Sequence, residues 1–306
     1  MQEHTKIPIT VITGFLGAGK TTLINNILKK YRDKKFALVE NEFGAVPVDT
    51  RLIKGVDASQ MFELKQGCIC CTISDEYEQI LKELAERFPD VEHLLIETTG
   101  IADPAGVIQP FFRDAELKEL YEFAGTICLV DAPRFYEQPE KDISLKQLAV
   151  ADLVLVNKSE ALDKVHRENL QLELQSLNPF SAISFVNYAS AGNIRLNSLL
   201  TKSRSVFDFL SFSPAHAHIQ TRTFTFHRPL QKEEFVRRLT YVLDVHKRNI
   251  YRTKGILNFS GEPFEFILQG VGGSFELTEG DFAENNMESL VVMIGTQLDG
   301  VDLSMA

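Results

Sequence analysis

Cysteine is scarce in this chain: four residues in 306, three of them crowded at positions 68, 70 and 71 and the fourth, Cys128, alone. A disulfide framework spreads its cysteines to staple distant segments, so this distribution excludes one. The chain also lacks an apolar run of the ~18 residues that a membrane-spanning helix needs. Basic charge is in deficit, with 32 Lys and Arg against 42 Asp and Glu and a net charge of −10. That balance argues against a general partner for nucleic acid or an anionic membrane. Residues 1–6 have neither the charged start nor the apolar core of a signal peptide, so a cytoplasmic location is expected. No internal repeat or low-complexity tract interrupts the sequence. What remains is 44% hydrophobic and 24% charged, an ordinary globular composition, over a length that suits two domains.

The densest information lies at residues 14–22, Gly-Phe-Leu-Gly-Ala-Gly-Lys-Thr-Thr, which fit the pattern G-x-x-x-x-G-K-[ST]. Gly14, Gly17 and Gly19 let the backbone curl so that N–H groups point inward at oxygen anions. Lys20 offers a compact charge to the β- and γ-phosphates, and the Thr21 hydroxyl is a ligand for Mg²⁺. The β-rich run Ile7–Ile12 precedes the loop and a helical apolar pattern from Leu23 to Leu28 follows it. This order sets a helix N-terminus behind the phosphates. Gly14, Gly17, Ala18, Gly19, Lys20, Thr21 and Thr22 are therefore the candidate phosphate contacts.

Further apolar runs at 36–39, 93–96, 126–130, 153–156 and 183–186 alternate with amphipathic stretches such as 77–88 and 165–177. Continuous apolar strands separated by helices predict an α/β fold, a P-loop parallel sheet covered by helices on both faces. After about residue 205 the pattern changes. The expected division is a nucleotide domain over 1–205, a linker over 206–220 containing His216 and His218, and a small α+β domain over 221–306. Within the last, 221–226 alternates as a strand and 232–245 is helical. Residues 256–268 and 274–277 suggest an antiparallel meander with turns at 260–261 and 272–273, closed by 290–294.

Two more segments carry nucleotide chemistry. Leu94–Gly100 reads as a strand ending in Glu97, with Gly100 three residues on. A carboxylate there can hold Mg²⁺ or position the attacking water, and Gly100 can bring an N–H toward the γ-phosphate. Asn157-Lys158-Ser159-Glu160 resembles the guanine-reading N-K-x-D, whose carboxylate accepts from the base N1–H and exocyclic amine; Glu160 is one methylene longer. The turn Ala189–Gly192 follows the next apolar run, where a backbone contact to guanine would lie.

Cys68, Cys70 and Cys71 stand between these motifs. Thiolates suit Zn²⁺, cobalt or copper. Three in four residues do not make a closed structural site, which takes separated pairs. An open site, completed by another ligand, suits transfer. Glu40 and Glu42 of Glu-Asn-Glu-Phe-Gly, after the second strand, are candidate oxygen ligands. A redox pair, or simply small buried residues, is the alternative for the cysteines; Cys128 in its apolar run is read as core.

Together these motifs resemble the CobW-type family of P-loop GTPases: 14–22, 40–44, the Gly-Cys-Ile-Cys-Cys of 67–71, the Glu-Thr-Thr-Gly-Ile-Ala-Asp-Pro of 97–104, and Val-Asp-Ala at 130–132. The resemblance implies an N-terminal GTPase domain and a smaller C-terminal domain. It further implies GTP hydrolysis coupled to metal delivery to a client metalloprotein, with the C-x-C-C cysteines binding metal. Two departures stand out: Glu160 replaces the usual Asp, and Ala45 stands where some members carry a further Glu. The expected catalytic set is Lys20, Thr21 and Glu97. Expected nucleotide contacts add Gly100, Asn157, Lys158 and Glu160 to the loop. The expected metal set is Cys68, Cys70, Cys71, Glu40 and Glu42, with Thr21 for Mg²⁺. An ATP-dependent thiol-redox or kinase-like enzyme, and a nucleotide-gated regulator, are the rival readings.

Overall fold

A computed structural model of the chain describes residues 5–40, 61–63, 74–137, 141–192, 194–196, 199, 219–283 and 288–304. Two compact units are present: residues 1–175 with 181–200, and residues 176–180 with 201–306.

In the first unit the strands are β1 (Ile7–Gly14), β2 (Phe36–Glu40), β3 (Met61–Glu63), β4 (His93–Glu97), β5 (Tyr121–Asp131), β6 (Leu153–Asn157) and β7 (Ala182–Phe185). Among the described residues they form one sheet in the order β3-β2-β4-β1-β5-β6-β7, with every pair parallel. The longer helices are α1 (Lys20–Lys30), α2 (Ser74–Arg87), α6 (Lys141–Ala149) and α7 (Lys164–Leu177). Short helices α3 (Ala105–Ile108), α4 (Pro110–Arg113) and α5 (Ala115–Leu120) lead into β5. Successive strand residues are buried alike, as Leu94, Leu95 and Ile96 are, so both faces of the sheet are covered, as the unbroken apolar runs require.

One face receives α1, whose Leu23, Ile24, Ile27 and Leu28 pack on Ile12, Leu38, Leu95, Ile127, Leu129 and Leu155. Each of these buried side chains contributes about 2 kcal/mol before entropy. The other side of the unit is tied by tyrosines. The Tyr121 hydroxyl donates to the Leu81 carbonyl at 2.7 Å and the Tyr77 hydroxyl to the Val107 carbonyl at 3.4 Å, joining α2 to β5 and α3. Two features differ from the sequence expectation. The three-residue strand β3 is too short to show a period, and β5 begins at Tyr121, five residues ahead of the apolar run, with a register irregularity opposite Ile9 and Thr10.

In the second unit, β8 (Gln220–Phe226), α8 (Lys232–Val245), β9 (Ile250–Asn258), β10 (Phe264–Val271), β11 (Ser274–Phe282) and β12 (Ser289–Gly295) form an antiparallel sheet ordered β11-β10-β9-β12-β8 and a helix. Phe235, Leu239, Val242 and Leu243 of α8 are the expected stripe, packed with Leu257, Phe266, Leu268, Val291 and Met293. β9 starts at Ile250, ahead of the predicted 256, because Arg252, Thr253 and Lys254 are buried strand residues despite their polarity. β12 does not extend the meander beyond β11. It inserts between β9 and β8, pairing with both. Among the described residues no helix is long and apolar enough to cross a membrane.

Candidate nucleotide site

Because the sheet is parallel, the carboxyl ends of β1, β4 and β6 share one edge, and the sequence motifs meet there. The phosphate loop leaves β1 at Gly14. A Cβ on Gly14 would stand 2.3 Å from the Leu129 carbonyl oxygen of β5, so the strand-to-loop exit admits only hydrogen at that position. Gly17 (φ 77°) and Gly19 (φ 105°) take the left-handed conformation that closes the curl. Lys20 is 8% exposed, and its Nζ donates to the carbonyls of Gly14 at 2.9 Å and Phe15 at 3.3 Å, so the ammonium lies over its own loop. α1 has no side-chain cap and no acid in its first turn. Its N-terminal N–H groups and partial positive charge are thus not neutralised from within the helix, which is the requirement for holding an anion. Ala18 is fully buried and Thr22 exposed.

The segment after β4 is pressed against this loop. The Thr98 hydroxyl donates to that of Thr13 at 2.9 Å, with both residues fully buried. A Cβ on Gly100 would stand 2.6 Å from the Leu16 nitrogen, so glycine is needed there for close backbone approach. Gln147 of α6 holds the turn by donating to the carbonyls of Gly100 at 3.2 Å and Ala102 at 3.3 Å. Glu97 Oε1 stands 3.5 Å from the Thr21 hydroxyl, at the outer limit of a hydrogen bond. Cys128, in β5, is buried as expected of a core residue, and burial pushes its thiol up to about 12 against the opposing pull of the Lys20 charge.

The third motif closes the site. Asn157 donates its amide to the Ala18 carbonyl at 2.9 Å and accepts from the Ala189 N–H at 2.8 Å. Lys158, at φ 57°, pairs with buried Asp131 at 2.6 Å. Asn187 Oδ1 accepts from the Ser159 hydroxyl at 2.9 Å and the Glu160 N–H at 3.1 Å, leaving the Glu160 side chain exposed. Tyr188 (φ 52°) and Ala189 (φ 49°) are consecutive left-handed residues without glycine, at a cost of about 1–2 kcal/mol each. Asn26 of α1 offsets part of that by donating to both their carbonyls at 2.9 Å. Lys30 donates to the carbonyls of Ala191, Gly192 and Ile194. Asp131, Asn187, Asn26, Lys30 and Gln147 are site residues for which no role was read from the sequence. Most of them act on main-chain atoms, which leave no residue-type signature at the receiving position.

Cys68, Cys70, Cys71 and Glu42 lie outside the described residues, as do His216 and His218; Glu40 is described by its backbone, in register with Glu97 of β4 and Glu63 of β3. Among the described residues no cluster of three His, Cys, Asp or Glu side chains could hold a metal.

A glycine loop between β1 and α1, an acidic strand end beside it and an N-K-x-E turn bonded to its back define a P-loop nucleoside triphosphatase. The chain belongs to the CobW/HypB/UreG family: that family's nucleotide-binding domain matches residues 8–185, and the cobalamin synthesis protein cobW C-terminal domain matches 219–306. It is a GTPase. The zinc chaperone YjiA of Escherichia coli is 32% identical over an alignment covering 95% of each chain. The zinc chaperone CobW of Pseudomonas aeruginosa is 29% identical, covering 98% of this chain and 90% of the relative. Zinc-regulated GTPase metalloprotein activator 1 of Saccharomyces cerevisiae is 27% identical over 98% of this chain and 82% of its own. The crystal structure of Zn(II)-bound YjiA GTPase from E. coli matches with a TM-score of 0.67 at 27% identity, over 98% of this chain and 97% of that one.

Proposed function

We propose that this GTPase couples nucleotide state to the handling of a transition-metal ion, zinc foremost and cobalt as the alternative cargo, and hands that ion to a client metalloprotein in the cytoplasm. The observation that carries this reading is the position of β3. Gly14, Glu40, Glu63 and Glu97 all end parallel strands at the same sheet edge. Cys68 follows Glu63 by five residues. Five residues span at most about 18 Å, and three strand spacings, from β3 to β1, amount to about 14 Å. A tether of that length is long enough for the thiol motif to reach the phosphate loop. Cys68, Cys70 and Cys71, with Glu40 or Glu42, make a thiolate-and-oxygen set suited to a borderline-soft ion. The zinc named for YjiA, CobW and the yeast activator supports the same cargo.

In the nucleotide half of the reaction, Lys20 and the loop N–H groups spread positive charge over the β- and γ-phosphates. The Thr21 hydroxyl and Glu97 carboxylate converge at 3.5 Å, an oxygen donor pair that fits Mg²⁺. A bound Mg²⁺ supplies charge neutralisation across the phosphates. The Gly100 N–H approaches the γ-phosphate, while Asn157, Lys158 and Glu160 hold the base. The motif segments 14–22, 97–100 and 157–160 contain no arginine, so intrinsic turnover is slow. The γ-phosphate brings the three cysteines into coordinating geometry, and hydrolysis releases the ion.

The test is zinc affinity measured with a non-hydrolysable GTP analogue and with GDP. The analogue should tighten binding at least about tenfold, the factor that 1.4 kcal/mol of coupling supplies. Equal affinities would overturn the coupling.

A further inference from the structure

We propose that Tyr188 is a wall of the base slot, its ring stacking on the guanine of bound nucleotide. The inference rests on the GTPase reading and adds a contact to it. Tyr188 is 82% exposed, a large aromatic in water. Its backbone sits at φ 52°, where a bulky L-residue is uncommon and strained. Such strain persists only where surroundings over-determine it, and it collects at ligand sites. Here the surroundings are the base motif itself. On one side Asn187 accepts from the Ser159 hydroxyl and the Glu160 N–H. On the other, Ala189 donates its N–H to Asn157. Asn26 fixes the Tyr188 carbonyl from α1 at 2.9 Å.

Tyr188 is thus pinned from three directions to the segment carrying Asn157, Lys158 and Glu160, and its ring is spent on no core. Glycine would fill this backbone position without strain. An exposed tyrosine there is explained by a flat partner that arrives with the ligand. Every nucleobase offers such a face, and stacking on an aromatic side chain stabilises it by about 1–3 kcal/mol. A stacked ring also compensates for Glu160. Its longer side chain holds the base edge with more freedom than aspartate, while the ring restricts the base from its face.

The experiment uses the full chain without added transition metal. GDP affinity is measured by calorimetry for the parent and for Tyr188→Phe, Tyr188→Gly and Tyr188→Trp, with pyrophosphate as a ligand that has no base. Tyr188→Phe should bind GDP within about twofold of the parent. Tyr188→Gly should bind it roughly tenfold more weakly yet melt at a higher temperature, because the left-handed strain is relieved. Pyrophosphate affinity should not change in any variant. The chain contains no tryptophan, so Tyr188→Trp carries a single reporter whose fluorescence should be quenched by GDP and not by pyrophosphate. Parent-like GDP affinity in Tyr188→Gly, or a tryptophan signal indifferent to GDP, overturns the stacking while leaving the GTPase assignment intact. A parent chain that binds pyrophosphate but not GDP overturns both.

Discussion

Asn157 reaches the Ala18 carbonyl with its side-chain amide at 2.9 Å, across 139 residues of sequence. The same side chain accepts from the Ala189 N–H at 2.8 Å. One residue thereby joins the phosphate loop to the turn after β7, and the loop cannot shift without moving the base motif. Both partners are fully buried at their residues, so no water replaces Asn157 cheaply.

Asn157→Ala leaves that carbonyl and that N–H unpaired. Each orphaned group costs about 1–3 kcal/mol. Urea denaturation should show at least about 2 kcal/mol of lost stability, and GDP binding should weaken with it. A variant as stable as the parent would show that the bridge carries no energy.

Gly100→Ala sets a steric test where the turn after β4 meets the phosphate loop. The added Cβ would meet the Leu16 nitrogen at 2.6 Å and its Cα at 2.8 Å, backbone that can yield only by moving the phosphate loop. Hydrolysis should fall more than about tenfold, and stability by about 1–3 kcal/mol. Gly17→Ala is the comparison, since its Cβ would meet nothing within 4 Å and faces only the strain of φ 77°. A smaller loss in Gly100→Ala than in Gly17→Ala would contradict the close-approach account.

The sheet and the three nucleotide motifs were legible because each has a local signature: unbroken apolar runs for buried parallel strands, and residue types with fixed chemical roles at fixed spacing. β3 was not, because Met61–Glu63 is shorter than any period it could display. The inward residues Arg252 and Lys254 concealed the start of β9, since burial against Gln269 (bonded to Arg252 at 2.6 Å) is a tertiary fact. The place of β12 between β9 and β8 is likewise a matter of pairing that strand order along the chain does not encode. At the site, Asn26 and Lys30 act on main-chain carbonyls of residues 188–194, any of which could bear another side chain and accept equally well. Asn187 was invisible for a related reason: its value lies in contact with Ser159 and Glu160, which α7 and β7 separate from it in sequence.

His93 gives the fold an acid-sensitive joint. It is fully buried at the start of β4, with Nε2 2.9 Å from the Thr10 hydroxyl of β1. Burial, helped by the nearby Lys34 charge, lowers its pKa from 6.5 to about 4. Between those values the unfolded chain binds a proton that the native state refuses. The contribution of neutral His93 is therefore whole above pH 6.5 and is lost as pH falls toward 4, by about 3 kcal/mol in all. His93→Gln has nothing to titrate there. Stability measured by urea at pH 7, 5.5 and 4.5 should fall more steeply for the parent than for His93→Gln; parallel curves would remove His93 as the cause.

Cysteine accessibility separates the two kinds of thiol. Cys128 is 2% exposed, and its pKa of about 12 keeps it protonated at neutral pH, so it is neither reachable nor nucleophilic. Iodoacetamide at pH 8 should therefore spare Cys128 in the native chain and label it only after unfolding. The remaining cysteines, Cys68, Cys70 and Cys71, are the proposed zinc ligands, and a thiolate committed to a metal does not alkylate readily. Peptide mass spectrometry should find all three modified in metal-free protein and protected together when zinc and a GTP analogue are both present. On the proposed coupling, protection should weaken when GDP replaces the analogue. Labelling of the three that ignores zinc would sink the metal site, and labelling that responds to zinc but not to nucleotide would leave the site and remove its link to the phosphate loop.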